Sequence, residues 1–326
     1  MDPLTHSATG LFLGRAGLNR FSSHPAWILI LAANAPDIDF VTLAGGQLNY
    51  LNYHRHLTHS LAAMPVMALL TVLLVRPFAR KPFRWLGSLA IALIAVASHL
   101  LLDLTNTYGV RLLLPFSARW FHLDLTSLID VWIWAALLIA LVGPVLVRLV
   151  NAEIGAHAPH PGRGFAIFAL LFLLLSNAGR AVLHSRATAV LNARIYSGEA
   201  PMRVAALPDP ANPLAWRGLA QTPDFYSIQE FNLLQEFAPE RGLIFYKAEP
   251  GPATKAANNT PAFRDFFRFS QYPFERAIPV ADPEGGTRVE AMDLRFGSPL
   301  HPAFVATAIV DGHAQVVRSW FSFRAP

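Results

Sequence analysis

Cysteine is absent from all 326 residues of the sequence. That absence excludes disulfides, zinc sites built from thiolates and cysteine nucleophiles. Charge is also scarce, because Asp, Glu, Lys and Arg make up 14% of the residues, whereas a soluble domain usually carries about 25%. Hydrophobic residues make up 53%. These proportions indicate a membrane protein.

Several functional signals are missing as well. The stretch from Met1 to His6 has no basic region followed by an apolar core, so no cleavable signal peptide is expected. No basic stripe with interleaved aromatic residues is present, so nucleic acid is not an expected partner. The chain has neither a Gly-x-Ser-x-Gly elbow nor a glycine-rich phosphate loop. Ser60 follows His59, but neighbours in a helix do not face each other. These absences disfavour catalysis by a serine nucleophile.

The long apolar runs all lie within the first 182 residues. A bilayer requires about 20 apolar residues for a helical crossing. The first helix, at 5–18 with Thr5 as its cap, is too short to span and is predicted to be interfacial or re-entrant. Apolar segments follow at 25–44, 59–76, 85–104, 127–148 and 164–183. Residues 45–57 are expected to form a polar loop, and Thr58 is the expected cap of the helix over 59–76. We therefore predict a helical membrane domain over residues 1–195, with about four spanning helices.

Residues 196–326 have the pattern of a water-exposed domain. Short alternating runs are separated by turn signals at Glu284-Gly285-Gly286 and Asp311-Gly312, and Asp-Gly between such runs is a strong hairpin signal. Residues 260–269 form an amphipathic helical pattern. The expected fold is a small α+β domain rich in β-strands.

Histidine and aspartate cluster at the edges of the apolar runs. His54, His56 and His59 lie within six residues, and His99 and Asp103 are spaced to share one helix face. Pro36 interrupts an apolar run beside Asp37 and Asp39, whose carboxylates would point the same way in an extended strand. His6 and the His122-x-Asp124 pair are further candidates. The alternatives are a helix cap for an aspartate and a satisfied core position for a histidine.

Basic residues predict which way these segments cross the membrane. Arg76, Arg80, Lys81 and Arg84 form the densest basic group beside any span, and such groups stay in the cytoplasm. The start of segment 59–76 and the end of segment 85–104 then lie on the opposite, extracytoplasmic side. Segment 25–44 ends there too, and the last span carries the C-terminal domain to that side. His6 fits this scheme if the first helix is re-entrant or tilted.

A mixed imidazole and carboxylate set without thiolates is typical of a catalytic metal site with an open position. Zinc is the expected divalent ion, with manganese as the alternative. The number of candidate ligands allows one or two ions. Arg55 lies between two of the histidines and could contact an anionic group such as a phosphate.

Four motifs together carry a family resemblance. They are His6 before a glycine-rich helix, Pro36-Asp37-Ile38-Asp39, His54-Arg55-x-x-Thr58-His59-Ser60, and Ser98-His99-x-x-x-Asp103 ahead of Tyr108-Gly109. The chain resembles the YdjM-like family of inner-membrane, metal-dependent hydrolases over residues 1–182. The similarity extends through Asn212-Pro213-Leu214-x-Trp216-Arg217 and Asp293-Leu294-Arg295-Phe296.

This resemblance implies a metal site in the inner membrane and a hydrolytic reaction. The expected metal ligands are His6, Asp37, Asp39, His54, His59, His99 and Asp103. The expected catalytic residues are Asp39, Arg55 and Asp124, with Asp130 a weaker match. His56 stands where the family pattern has a small residue, so it is not expected to be a ligand.

The leading hypothesis is a multi-pass inner-membrane hydrolase whose site faces the periplasm. Its expected partners are the lipid bilayer and a lipid-like or membrane-associated substrate, such as a phosphoester. A metal-ion or small-solute transporter using the same cluster is the alternative, although the chain lacks the inverted pattern of interrupted helices that many transporters show. A membrane anchor for the C-terminal domain is a third hypothesis, under which the polar residues near the membrane lack an explanation.

Overall fold

The computed structural model describes residues 1–79, 82–155 and 161–324. Within them the chain forms nine α-helices: α1 Pro3–Ala16, α2 Pro25–Asn34, α3 Gln47–Tyr53, α4 Met64–Val75, α5 Trp85–Leu104, α6 Val131–Ile154, α7 Pro161–Asn192, α8 Pro252–Asn258 and α9 Pro261–Phe269. Eight strands follow α7: β1 Arg203–Pro208, β2 Ala215–Gln221, β3 Phe225–Asn232, β4 Leu243–Tyr246, β5 Pro273–Val280, β6 Gly286–Asp293, β7 Ala303–Val310 and β8 Val316–Arg324. The predicted fold class, membrane helices followed by a β-rich domain, is confirmed.

The chain divides into two compact units. The first unit comprises Met1–Asp39, Arg55–Arg186 and Pro208–Ala215. The second unit comprises Phe40–His54, Ala187–Leu207 and Trp216–Pro326. Each unit is therefore assembled from separate stretches of the chain.

In the first unit, α1 begins at a different cap from the one predicted. Asp2, not Thr5, accepts hydrogen bonds from the backbone N–H groups of Leu4 and Thr5. A carboxylate in this position satisfies N–H groups that have no partner inside the helix. A methyl group on Gly10 would lie 2.5 Å from the carbonyl oxygen of Leu29. Glycine at this position therefore allows α1 and α2 to approach closely.

The chain after α2 is helical where an extended strand was expected. Residues Ala35–Gly45 form a 3-10 helix that includes both Asp37 and Asp39. A 3-10 helix has three residues per turn, so side chains two positions apart diverge by about 120° around the axis. The expected extended backbone is therefore wrong, but both carboxylates still reach His59, at 3.4 Å from Nε2 for Asp37 and 3.1 Å from Nδ1 for Asp39. Pro36 fits the start of this turn because its ring fixes φ near the helical value.

The helix predicted to begin at residue 59 begins later. Leu57–His59 form a short 3-10 turn, and α4 starts at Met64. The predicted cap, Thr58, instead directs its hydroxyl to Asp39, at 3.0 Å. Pro65 lies in the first turn of α4, where a missing N–H costs nothing. The predictions for α5 and α7 are confirmed, and α6 begins at Val131 with Asp130 as its cap.

Two apolar clusters hold the first unit together. One joins α2, α4 and α5 through small and branched side chains such as Ala32, Val72 and Ala95. The other joins α1, α5, α6 and α7 around Phe12 and Ile133. Large apolar side chains cover the outer surfaces of α4, α6 and α7. Such surfaces are suited to lipid.

Four segments of the described chain are long and apolar enough to cross a membrane, and a fifth crossing results if the bent pair ending in α4 counts as one span. The chain is therefore built as a multi-pass membrane protein. Two of the basic residues used to predict its orientation, Arg80 and Lys81, lie outside the described residues, as do His157 and His160.

The second unit contains two four-stranded antiparallel sheets, ordered β1-β2-β3-β4 and β5-β6-β7-β8. Side chains from both sheets, including Tyr226, Phe274 and Met292, share one core. The predicted hairpin at Asp311 joins β7 to β8, and the predicted helix at 260–269 is α9. Helix α3, which was expected to be a polar loop, belongs to this unit.

A buried ion pair lies at the end of β6. The carboxylate of Asp293 and the guanidinium of Arg295 are fully buried, with Nη2 2.8 Å from Oδ2 and Nε 3.1 Å from Oδ1. Burial alone would raise the pKa of Asp293. The charge of Arg295 and hydrogen bonds from Arg295 and Gln271 outweigh burial and hold that pKa below its usual range.

We predict that Asp293→Asn lowers the free energy of unfolding of the second unit by about 3–5 kcal/mol, because it leaves the Arg295 charge buried and unpaired. Because the folded-state pKa is lowered, the contribution of Asp293 is present above its unfolded-state pKa of about 3.9. The contribution disappears as the pH falls through the folded-state value. Chemical denaturation followed by circular dichroism measures the difference. Glu284→Gln, in an exposed turn, is the control, and equal stability of the two variants at pH 7 would contradict the prediction.

Candidate metal centre

Three segments of the first unit bring four donor atoms together. The 3-10 helix after α2 supplies Asp37, the turn before α4 supplies His59, and the last turns of α5 supply His99 and Asp103. Nε2 of His59 lies 3.1 Å from Nε2 of His99, 3.4 Å from Oδ1 of Asp37 and 3.4 Å from Oδ2 of Asp103. Nε2 of His99 lies 3.6 Å from the same Asp37 oxygen and 3.5 Å from the same Asp103 oxygen.

These distances can be compared with those of a tetrahedral metal site. Zinc bonds of about 2.0–2.2 Å place neighbouring donor atoms about 3.3–3.6 Å apart. The five donor separations above run from 3.1 to 3.6 Å, and the sixth is within 4.8 Å. The four atoms therefore could hold one ion of this size with little movement.

The other nitrogen of each histidine is held by an oxygen. Nδ1 of His99 lies 2.7 Å from the carbonyl oxygen of Ala33, and Nδ1 of His59 lies 3.1 Å from Oδ2 of Asp39. An N–H at each Nδ1 donates to these acceptors, so each Nε2 presents its lone pair to the cluster. Carbonyl and carboxylate partners of this kind orient histidines that bind metals.

Asp39 is itself fixed by its neighbours. Its Oδ2 accepts hydrogen bonds from the backbone N–H of Arg55 at 2.8 Å and from the hydroxyl of Thr58 at 3.0 Å. Three donors thus converge on one carboxylate oxygen, including the ring N–H of His59. Through this oxygen, Asp39 orients His59.

The two oxygens of Asp103 have different surroundings. Oδ2 faces the two histidines. Oδ1 accepts hydrogen bonds from the N-terminal amine of Met1 and from the guanidinium of Arg55, whose Nη2 lies 2.9 Å from it. Nε2 of His6 lies 3.3 Å from the same Oδ1. The guanidinium of Arg55 therefore balances the side of this carboxylate that points away from the donor cluster.

His6 lies against the cluster as a third buried imidazole ring. Its ring stacks on that of His99, with centroids 3.8 Å apart and planes 23° apart. Both ring nitrogens are buried, and Nδ1 has no hydrogen-bond partner within the described part of the chain. The structure thus places the ring of His6, near the start of α1, directly beside the ring of His99.

Arg55 points into the protein. Its backbone has φ of +54°, which is uncommon for a residue other than glycine. The guanidinium lies 4.9 Å from the centre of the Tyr108 ring and donates from Nη1 to the carbonyl oxygen of Gly109 at 3.3 Å. These contacts hold a fixed positive charge at the inner side of Asp103.

Access to the four donors is one-sided. The side chains of His59, His99 and Asp103 are 0% exposed, whereas that of Asp37 is 20% exposed. Water can therefore reach this cluster past Asp37.

The remaining candidates are not members of this set of four donors. Asp124 binds Nδ1 of His122 at 2.9 Å. Asp130 caps α6 and lies 2.6 Å from Nη2 of Arg180. His54 belongs to the second unit, where its ring stacks on Tyr50 at 4.4 Å.

Helices α1, α2, α4 and α5, which surround this cluster, all lie in the part of the chain that is similar to other proteins. A family model described as YdjM inner membrane protein matches residues 1–187. The chain belongs to the YdjM inner membrane protein family. The expected resemblance is confirmed, and all four donors lie within the YdjM match.

A relative has also been found in another organism. Over 152 residues the YdjM family chain is 32% identical to the uncharacterized protein YfhP of Bacillus subtilis (strain 168). The aligned stretch covers 43% of this chain and 45% of YfhP, so the chain spans less than half of that relative. No solved structure matches the chain.

Sequence reasoning missed three contributors to the cluster of this YdjM family chain. They are the carbonyl of Ala33, the hydroxyl of Thr58 and the amine of Met1. The carbonyl of Ala33 was missed because a backbone carbonyl leaves no signal in the sequence. The hydroxyl of Thr58 was missed because Thr58 was interpreted as a helix cap.

For Asp39, we predict a role in supporting the metal. Asp39→Asn removes the charge that holds His59, and the loss of such a partner typically costs 10–100-fold in metal affinity. Competition against a chromophoric zinc chelator measures the affinity. Glu153→Gln, at the exposed end of α6, is the control, and an unchanged affinity in Asp39→Asn would contradict this role.

For Asp130, we predict a structural role. Asp130→Ala removes the α6 cap and leaves Arg180 buried without its carboxylate, which together should lower stability by about 3–5 kcal/mol. Asp130→Asn keeps the capping oxygen and should recover about 1 kcal/mol of this loss. Both variants should bind metal as the unaltered protein does. Thermal unfolding in detergent and metal content report the two effects separately, and loss of metal from folded Asp130→Asn would contradict the assignment.

Proposed function

We propose that this protein is a zinc-dependent hydrolase of the inner membrane. The observation that carries the proposal is the set of four donor atoms, five of whose six separations are 3.1–3.6 Å, with both histidines held through their other nitrogens. Two imidazoles and two carboxylates without sulfur suit zinc in a catalytic site. Zinc in such a site supplies a Lewis acid and lowers the pKa of bound water.

One ion is favoured over two. The four donor atoms converge on one another, and the other oxygen of Asp103 is in contact with the guanidinium of Arg55. A second cation on that oxygen would lie beside this buried positive charge. We therefore propose that His59, His99 and Asp103 hold a single zinc ion.

Asp37 is proposed as the proton acceptor. It completes the tetrahedral set and is the one member with solvent exposure, so water competes most readily for its position. A carboxylate beside the attacking water accepts the proton that the water loses. We assign that role to Oδ1 of Asp37, and Asp39 keeps His59 oriented.

The proposed substrate is a lipid-like ester with an anionic group. Ile38, Leu57 and Leu61, which neighbour Asp37 and His59 in the chain, are 60%, 51% and 51% exposed. An apolar rim beside a polar site suits an amphiphilic substrate. Arg55 is buried and paired with Asp103, so it would favour an anionic group through its charge and not by direct contact.

The site is proposed to face the periplasm. Helix α4 runs away from His59 and ends beside Arg76, and α5 starts after Arg84 and carries Asp103 in its last turn. Basic residues thus flank the helix ends opposite the site, and such residues remain cytoplasmic. By the same reasoning, α7 carries the C-terminal domain to the periplasmic side.

Variants of two site residues test the reaction. His99→Ala should lose both zinc and hydrolysis, whereas Asp37→Asn should retain zinc and lose at least about 100-fold in kcat, the usual contribution of a general base. Elemental analysis and a screen of phospholipids and phosphodiesters measure both properties, with Glu153→Gln as the control. Zinc flux into proteoliposomes without hydrolysis of any substrate would contradict the proposal and favour a transporter.

The absence of cysteine provides a direct test of topology. A single cysteine at Glu284→Cys should react with a membrane-impermeant maleimide in intact spheroplasts, because the C-terminal domain is proposed to be outside. A cysteine at Pro82→Cys, near the basic group, should react only after permeabilisation. Both positions are exposed. The reverse pattern would place the site in the cytoplasm.

A further inference from the structure

A cleft in the second unit is lined by residues that do not belong to the metal site. Its volume is about 610 Å³, and its walls come from β2, β3, β4 and the turn at 296–301 after β6. Clefts of roughly 300–1,000 Å³ are typical of small-ligand sites.

The two C-terminal motifs noted in the sequence meet at this cleft. Arg217 lines one wall and donates from Nη2 to the carbonyl oxygen of Gly297 in the opposite wall. Phe296 lines the cleft beside that glycine, with the guanidinium of Arg295 4.8 Å from its ring centre. Because Arg295 is paired with the buried Asp293, the ring of Phe296 lies against a guanidinium that is held in place.

Neutral hydrogen-bonding groups form much of the lining. Gln229, Asn232 and Gln235 each contribute a side-chain amide, which both donates and accepts hydrogen bonds. Oε1 of Gln229 is buried and has no hydrogen-bond partner in the described ranges. A buried acceptor without a partner costs free energy unless a ligand or water satisfies it.

The charges of the lining balance. Arg217 and Arg241 are matched by Glu230 and Glu236. The balance disfavours a ligand with several charges of one sign.

Apolar surfaces complete the cleft. The rings of Phe231, Phe245 and Phe296 lie among the amide side chains. A ligand that fits must therefore offer hydroxyl or amide groups around its edge and apolar faces for the rings. Sugar rings combine hydroxyls, which donate and accept, with C–H faces.

We propose that this cleft binds an uncharged saccharide. The amide side chains would bond to hydroxyl groups, Gln229 would gain a donor for its buried oxygen, and the phenyl rings would pack against the sugar faces. This site is independent of the metal centre and of the hydrolysis proposed for it.

Calorimetry on the full chain in nanodiscs tests this proposal. Nanodiscs avoid detergents with sugar headgroups, which would occupy the cleft. The probes are chitotetraose, cellotetraose and maltotetraose, with dodecyl phosphate as the anionic alternative. At least one tetrasaccharide should bind at millimolar concentration or below, and the Gln229→Ala/Gln235→Ala double variant should weaken that binding by about tenfold. Lys255→Ala, exposed on α8 and outside the cleft, should leave the affinity unchanged.

Two results would overturn the assignment. One is the failure of all three tetrasaccharides to bind, and the other is binding that is equally strong in the double variant. Binding of dodecyl phosphate in their place, weakened by the double variant, would make this an anion site. The melting temperature of each variant distinguishes loss of a contact from loss of the fold.

Discussion

The carboxylate of Asp103 is the constraint on which the first unit depends. It is fully buried near the end of an apolar helix, where an unbalanced negative charge would cost several kcal/mol. Arg55 balances the charge at Oδ1, which the amine of Met1 also contacts, and Oδ2 faces His59 and His99. The start of α1, the turn before α4 and the end of α5 must therefore meet at one depth. The proposed zinc ion would supply the remaining positive charge.

Packing makes that meeting possible. Gly10 lets the backbone of α1 approach the Leu29 carbonyl, and small side chains such as Ala32 and Ala95 bring α2 close to α5. Close helix approach through small residues is the usual way membrane helices associate. Because the helices lie close together, the ring of His6 stacks on the ring of His99, and the carbonyl oxygen of Ala33 lies within hydrogen-bond distance of His99. The site is thus a consequence of helix packing as much as of the polar residues themselves.

The sequence predicted some features well and others poorly, for physical reasons. Helix α5 was predicted to the residue because a continuous apolar run of spanning length has few alternatives, and the Asp-Gly hairpin of β7 and β8 follows from local turn chemistry. The start of α4 was missed because Thr58 hydrogen-bonds to Asp39, a tertiary contact that competes with capping. The prediction of an extended Asp37-Ile38-Asp39 segment was wrong because the chain continues as a 3-10 helix after Pro36. The choice of His59, His99, Asp37 and Asp103 from a larger candidate set required coordinates, since side chains from three segments must meet within 3.6 Å.

X-ray absorption at the metal edge of the purified, zinc-loaded protein tests the central claim most directly. The account predicts nitrogen and oxygen neighbours at about 2.0–2.1 Å, the scattering pattern of two imidazoles, and no sulfur. It also predicts no second metal in the range of about 3.5–4 Å that is typical of two-metal sites. A metal–metal distance in that range, or a spectrum without imidazole, would contradict a single ion held by His59 and His99.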